Sequence, residues 1–260
     1  ADVGPDNTQV SISPDKREVY ITTGLTEGEQ YKISTVSVSG DTVLPKEEIE
    51  QRVGFFVKPG DVFSRARLEL ATESITGALA NIGYAFAQVQ PAPDVDREGR
   101  TVGIDMQVVP GPRVNVRRIV FKDNNRTKDE VLRREMRQFE GSWYSQAAID
   151  RSKVRLQQLG FFETGSVDIQ TEPVEGTSDQ VDLAVNVKET TSGSFVFGLG
   201  YSQLSGLSTS VQLSQNNFLG SGNRVSVEAN RNTYLQRYSF SFLNPYFTDN
   251  GMSLGYNLSW

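Results

Sequence analysis

Residues 193–202 read GSFVFGLGYS, and alternate letters separate into two sets. Phe195, Phe197, Leu199 and Tyr201 fall on one side; Ser194, Val196, Gly198 and Gly200 fall on the other. Alternation with a period of two marks a β-strand with one apolar and one polar face. The pattern returns with Leu207, Thr209, Val211 and Leu213, with Val225, Val227 and Ala229, and with Tyr238, Phe240 and Phe242. It returns last with Met252, Leu254, Tyr256, Leu258 and Trp260. Turn-forming stretches separate the runs: Ser205-Gly206, LGSGN at 219–223, Asn244-Pro245 and Asp249-Asn250-Gly251. The spacing predicts an antiparallel meander. Aromatics gather on the apolar face, and Ser, Gly, Asn and Gln on the other. Strands of a transmembrane β-barrel look like this, apolar toward lipid and polar toward the lumen. A soluble β-sandwich alternates too. The glycine-rich, neutral polar face favours the barrel, as does the stop at Trp260 in mid-strand. Barrels begin at about eight strands, so this chain is expected to be a piece of something longer.

Composition narrows the chemistry. There is no cysteine and no histidine among the 260 residues. Disulfides, thiol nucleophiles, most metal sites and the commonest general base are absent. A net charge of −6 does not suit a broad nucleic-acid surface. Apolar runs stay short of the ~20 residues of a membrane helix, and the N-terminus lacks a signal-peptide core. Either a signal was removed or the chain begins partway into a domain, and the second is the expectation.

Upstream, the patterns read as repeats. Alternation around Val10 and Ile12, a turn at Pro14-Asp15, and alternation through Val19, Ile21 and Thr23 predict a hairpin, closed off by Gly28. A strand over 31–39 follows. A helix over 44–53 has Ile49 and Val53 four apart, Pro45 at its start, and a loop from Phe55 to Phe63 after it. A second helix from Ser64 to Ile82 buries Leu68, Ala71, Ile75, Leu79 and Ile82, with Gly83 as its stop. Strands over 84–91 and 101–109 complete the unit. The order then recurs: a strand over 114–121, a helix opened by a Thr127–Glu130 capping box and running to Gln138, a helix capped by Ser145, and strands over 165–172 and 180–188. GSWYS at 141–145 echoes GDVFS at 60–64. The fold class is α+β: one partial and two complete β-α-α-β-β modules, then barrel strands.

That order resembles tandem POTRA domains ahead of an outer-membrane assembly barrel. VLRREMRQFEGSWYS (131–145), RLQQLGFFE (155–163), SGSFVFGLGYS (192–202), NNFLGSGNRVSV (216–227) and NPYFTDNGMSLGYN (244–257) are similar to the BamA family of barrel-assembly factors. The resemblance implies the end of a third POTRA domain over 1–29, a fourth over 30–111, a fifth over 112–190, and the first barrel strands over 191–260. It implies assembly and insertion of β-barrel proteins in the bacterial outer membrane, with the POTRA domains in the periplasm and no cofactor. TamA-like assembly factors and two-partner-secretion transporters of the same superfamily are the alternatives.

No catalytic constellation emerges, so an enzyme is not expected. The acids Glu47 and Glu48 sit beside Lys46 and read as a solvated helix face, and GSGN at 220–223 lacks the Lys of a phosphate loop. The candidate residues concern pairing. A three-stranded sheet backed by helices leaves a bare edge to which an extended client can add a strand. The second strand of each module is the expected edge: Gln9, Val10 and Ile12, then Gln88 and Val89, then Val167 and Ile169. Pro91 and Pro93 would blunt the middle one. The resemblance implies that the first barrel strand, with Phe195, Phe197, Gly198, Leu199, Gly200 and Tyr201, is a weak lateral seam that templates clients. Glycines would weaken packing there or merely make room in the lumen. It also implies that Arg133, Arg137 and Glu140 dock a BamD-type lipoprotein, with Glu140 facing a partner arginine. The partners so implied are outer-membrane lipoproteins, unfolded barrel clients and outer-membrane lipid, and no nucleic acid.

Overall fold

The computed structural model describes residues 8–13, 17–23, 29–204, 206–248 and 250–260. The turn at Pro14-Asp15, the boundary at Gly28, and Ser205 and Asp249 lie outside the described residues. The chain forms two compact units, one reaching to Leu79 and including Ala87–Gly111, the other comprising Ala80–Phe86 and Pro112–Trp260.

In the first unit, β1 (Thr8–Ile12) and β2 (Val19–Thr23) pair as an antiparallel hairpin with Ile12 opposite Val19. Then come β3 (Lys32–Gly40), α1 (Lys46–Phe56), α2 (Arg65–Ala80), β4 (Gln88–Asp96) and β5 (Thr101–Val109). The sheet order is β3-β5-β4, with β5 parallel to β3 and antiparallel to β4. Val102, Ile104, Met106 and Val108 alternate along β5 and are buried, as are Ile49 and Val53 of α1 and Leu68, Ala71, Ile75 and Leu79 of α2. α1 runs past Val53 to Phe56, where a loop was expected; the Val57 N–H still donates to the Val53 carbonyl at 2.8 Å. α2 stops at Ala80, short of Ile82, and Gly83 takes the left-handed φ of +110°.

The second unit repeats the plan with β6 (Asn115–Lys122), α3 (Asp129–Arg133), α4 (Gln146–Gln158), β7 (Asp168–Pro173) and β8 (Gln180–Asn186), in sheet order β6-β8-β7. Val181, Leu183 and Val185 of β8 form one core with Val131, Leu132, Ile149 and Leu156 of the helices. The Ser145 hydroxyl caps α4 by accepting from the Ala148 N–H. The expected capping box does not form. Lys128 is the N-cap of α3, and the Thr127 hydroxyl donates to Glu189 at 2.6 Å instead of accepting from the Glu130 amide. α3 ends at Arg133, and the chain turns through to Glu140 rather than staying helical to Gln138.

The rest of the unit is a five-stranded antiparallel meander: β9 (Gly193–Ser202), β10 (Gly206–Phe218), β11 (Asn223–Arg231), β12 (Gln236–Asn244) and β13 (Leu254–Ser259). Its register carries the apolar face across every strand. Phe197 lies opposite Val211, Val211 opposite Ala229, Ala229 opposite Tyr238, Val227 opposite Phe240, and Phe240 opposite Leu258. That face is bare: Phe195 is 67% exposed and Leu199 65%. An uncovered apolar sheet of this extent needs lipid or another apolar surface against it.

Candidate functional site

The two modules expose the same edges, and the ladder fixes which groups face outward. Asp41 N–H donates to the Val108 carbonyl, so even-numbered residues of β5 face β3 and odd ones face β4. Gln88, opposite Val109, therefore turns its backbone groups inward, and Val89, Pro91 and Pro93 turn theirs outward. The two prolines remove two outward donors from β4 without loss of a ladder bond. In β7, the Val174 N–H bond to Gln180 places Ile169, Thr171 and Pro173 outward. Val167 falls before β7 and is fully buried, so it belongs to the core and not to an edge. Gln9 and Val10 of β1 are exposed; Ile12 closes the hairpin register.

β3 and β6, which the sequence reading left aside, are edge strands too, and a loop covers the start of each. Ile33 N–H donates to Asp61 O at 2.8 Å, and Gly60 N–H to Ile33 O at 2.7 Å. The second module repeats both bonds, Val116 to Ser142 at 2.9 Å and Gly141 to Val116 at 2.6 Å. This shared clasp is what the GDVFS and GSWYS echo encodes.

Arg133, at the end of α3, and Arg137 and Glu140, after it, are exposed, and Arg133 and Glu140 are in contact. Glu140 is already engaged within the module. Its Oε1 accepts from the Ile119 N–H at 2.7 Å and from Arg133 Nη1 at 3.0 Å. The Ile119 amide first, and Arg133 after it, hold the Glu140 carboxyl below the usual carboxylate range. Arg133 Nη2 donates to the Ile119 carbonyl at 3.2 Å, and its guanidinium lies over the Phe121 ring. Arg137 Nη1 donates to the carbonyls of Arg134 and Met136.

In β9, Gly198 and Gly200 have a packing reason. A Cβ on Gly198 would stand 2.5 Å from the Ser210 hydroxyl, and one on Gly200 2.9 Å from that of Ser208. Among the described residues β9 is an edge of its sheet, paired with β10 alone.

A polar joint ties the second module to the strands. Glu189 accepts from the Arg126 and Thr127 amides and the Thr127 hydroxyl, and that hydroxyl accepts from Asn217 Nδ2 at 2.8 Å. Lys128 N–H donates to the Gly220 carbonyl at 3.0 Å. Nearby, the buried carboxylate of Glu135 pairs with Arg155 at 2.6 Å, Arg155 also donates to the Tyr246 hydroxyl, and Arg134 stacks over the Tyr246 ring at 4.3 Å. Sequence reading missed this joint: its members are scattered from residue 126 to 246, and no local spacing links them.

Among the described residues no cluster of His, Cys, Asp or Glu could hold a metal ion. Two β-α-α-β-β repeats followed by a one-sided apolar meander are matched by known families. Residues 31–111 and 114–190 match the POTRA model, described as surface antigen variable number repeat.

The chain belongs to the POTRA family.

Residues 217–260, in the barrel-type strands after the two POTRA domains, match the Omp85 superfamily domain. The chain is similar to the outer membrane protein assembly factor BamA of Neisseria meningitidis serogroup B, 34% identical over 97% of this chain and 31% of the relative. It is also similar to BamA of Buchnera aphidicola, 32% identical over 95% of this chain and 39% of the relative. It thus spans about a third of the length of these relatives. Among solved structures it resembles BamA from Haemophilus ducreyi lacking POTRA domains 1–3, with a TM-score of 0.77 and 40% identity over 88% of this chain and 42% of that one. It also resembles the POTRA3-5 segment of Haemophilus influenzae BamA, with a TM-score of 0.63 and 34% identity over 70% of each chain.

Proposed function

We propose that this chain is part of an outer-membrane assembly factor that folds and inserts β-barrel proteins, with its POTRA domains in the periplasm and β9–β13 in the membrane. The observation that carries this reading is the junction of two POTRA domains with an antiparallel sheet whose one face is apolar and uncovered. Such a sheet gives a client's unpaired strand both a template and access to lipid, and the free energy of assembly comes from satisfying backbone groups and burying apolar faces. No nucleotide is needed. The hairpin β1–β2 is the end of a preceding POTRA domain in this reading.

Three surfaces serve it. β9 is the seam strand, offering an edge next to the wider sheet. The outward groups of β1 and β7 take extended client segments, with Ile169 and Thr171 as the donors of β7; the prolines of β4 make it the poorest of the three edges. Arg133, Arg137 and Glu140 receive a BamD-type lipoprotein, a charged contact that sets orientation more than affinity.

The chain has no cysteine, so single cysteines along β9 report contacts cleanly. The test is cross-linking, in an outer membrane carrying the protein, between cysteines at Ser194 to Ser202 and one cysteine in the terminal strand of a barrel client. Cross-links that follow strand register support the seam. A client that cross-links elsewhere and never to β9 removes it. For docking, Arg137→Glu is the cleaner variant, because reversing Glu140 also strips the Ile119 amide of its acceptor.

A further inference from the structure

The outer edge of β6 carries a device that β3 lacks. Beyond the clasp at Val116, the ladder turns the backbone of Ile119 and Phe121 outward, since the Lys122 carbonyl faces β8 by accepting from Val187. On a bare edge the Ile119 N–H and C=O would await a new strand. Here both are taken by side chains. Glu140 accepts from the N–H at 2.7 Å, Arg133 donates to the C=O at 3.2 Å, and the two side chains bond each other at 3.0 Å. One acceptor and one donor, joined together, reproduce what a neighbouring strand would offer.

The first POTRA domain shows what is missing without them. The equal clasps align Val116 with Ile33 and Gly141 with Gly60, so Glu140 corresponds to Pro59, which has no acceptor side chain. Arg52, at the place of Arg133, bonds instead to Glu48 one turn back in α1. The position of Ile119 is held by Val36, opposite Ile104 as Ile119 is opposite Leu183. Among the described residues no side chain caps the outward edge of Val36.

We propose that the outer edge of β6, from Arg118 to Lys122, is a strand-accepting surface for an extended polypeptide, held shut by the Arg133–Glu140 pair. The occupant is an extended peptide because the groups that are masked are a backbone N–H and C=O in strand spacing, and the mask is one carboxylate and one guanidinium. Both side chains are over two-fifths exposed, so a competing cation from a docked partner can draw Glu140 off the edge. The inference deepens the docking reading above and rests on it only for the trigger; the masked edge stands on the bonds alone.

The test uses the chain in detergent micelles and, as probe, the synthetic peptide GLSTSVQLSQ, residues 206–215, an alternating barrel strand. Peptide affinity and hydrogen exchange of the Ile119 and Phe121 amides are compared in the wild type, Arg133→Gln and Glu140→Ala. Glu140→Ala, which frees the N–H, and Arg133→Gln, which frees the C=O, are each expected to bind about tenfold more tightly than the wild type. The bound peptide should slow exchange at Ile119 and Phe121. Equal affinity in all three chains, or protection confined to β7 or β3, overturns the proposal. Should Glu140→Ala fail to fold, Arg133→Gln decides: no gain over the wild type overturns it. No lipoprotein enters this test, so a failure of the docking reading shows separately, as retained lipoprotein binding by Arg137→Glu.

Discussion

Glu140 and Thr127 were both singled out as ends of helices or faces, and both turn out to be acceptors or donors for distant backbone. The carboxyl of Glu140 is held low by the Ile119 amide and by Arg133. A carboxylate with a depressed value stabilises the fold above its unfolded value and loses that contribution as pH falls through the folded one. Glu140→Gln should therefore melt below the wild type at neutral pH, and the gap should start to narrow as pH falls below about 4 and close only beneath the depressed value. Parallel thermal melts across that pH range check it. Thr127 has a heavier duty, because its hydroxyl stands between Glu189 and Asn217, and Asn217 is buried. Thr127→Ala leaves the Asn217 amide without its acceptor and should cost about 1–3 kcal/mol, read from denaturant unfolding.

At the scale of elements, the turn between β10 and β11 is shaped to meet the second POTRA domain. Gly220 has φ +72°, and a Cβ there would stand 2.0 Å from the Arg126 carbonyl. Backbone cannot retreat as a flexible side chain would. Gly220→Ala is expected to push the turn off the module and break the Lys128 to Gly220 bond, with a loss above about 1 kcal/mol. Faster exchange of the Lys128 amide would register the displacement. The central strands answer to a different force. Leu183 of β8 is fully buried between the helices and the sheet, and Leu183→Ala should cost about 2–5 kcal/mol in the same unfolding experiment.

The molecule as a whole joins two chemistries. POTRA cores bury their alternating valines and leucines beneath helices, while the meander leaves Phe195, Phe197, Leu199 and Tyr201 uncovered. In buffer without detergent the chain is expected to self-associate through that face and through the open edges of β9 and β13. Light scattering after gel filtration should show a smaller, uniform particle once micelles are supplied. Equal size in both conditions would argue against an apolar face that needs cover.

Much of the architecture was legible because it rests on local periodicity. Alternate burial along β5, the alternation of apolar and polar residues along β8 and β9–β13, the apolar stripe of α2, the Ser145 cap and the matched GDVFS and GSWYS clasps all depend on residues a few positions apart, where strand and helix geometry fix the facing. The boundaries that failed depend on what lies far along the chain. Thr127–Glu130 has the spacing of a capping box, yet Glu189 took the Thr127 hydroxyl and α3 stopped at Arg133. Val167 reads as a strand residue and is core. The resemblance implies Glu140 facing a partner arginine, and the bond it makes to the Ile119 amide within the module was not legible from sequence. Sequence by itself determined which segments are strands, helices and repeats, since backbone sterics and hydrophobic period act locally. Only the tertiary structure decided which polar side chain meets which distant partner, because buried donors and acceptors must be paired: the Thr127 amide finds Glu189 62 residues on, and Asn217 finds the Thr127 hydroxyl across 90 residues.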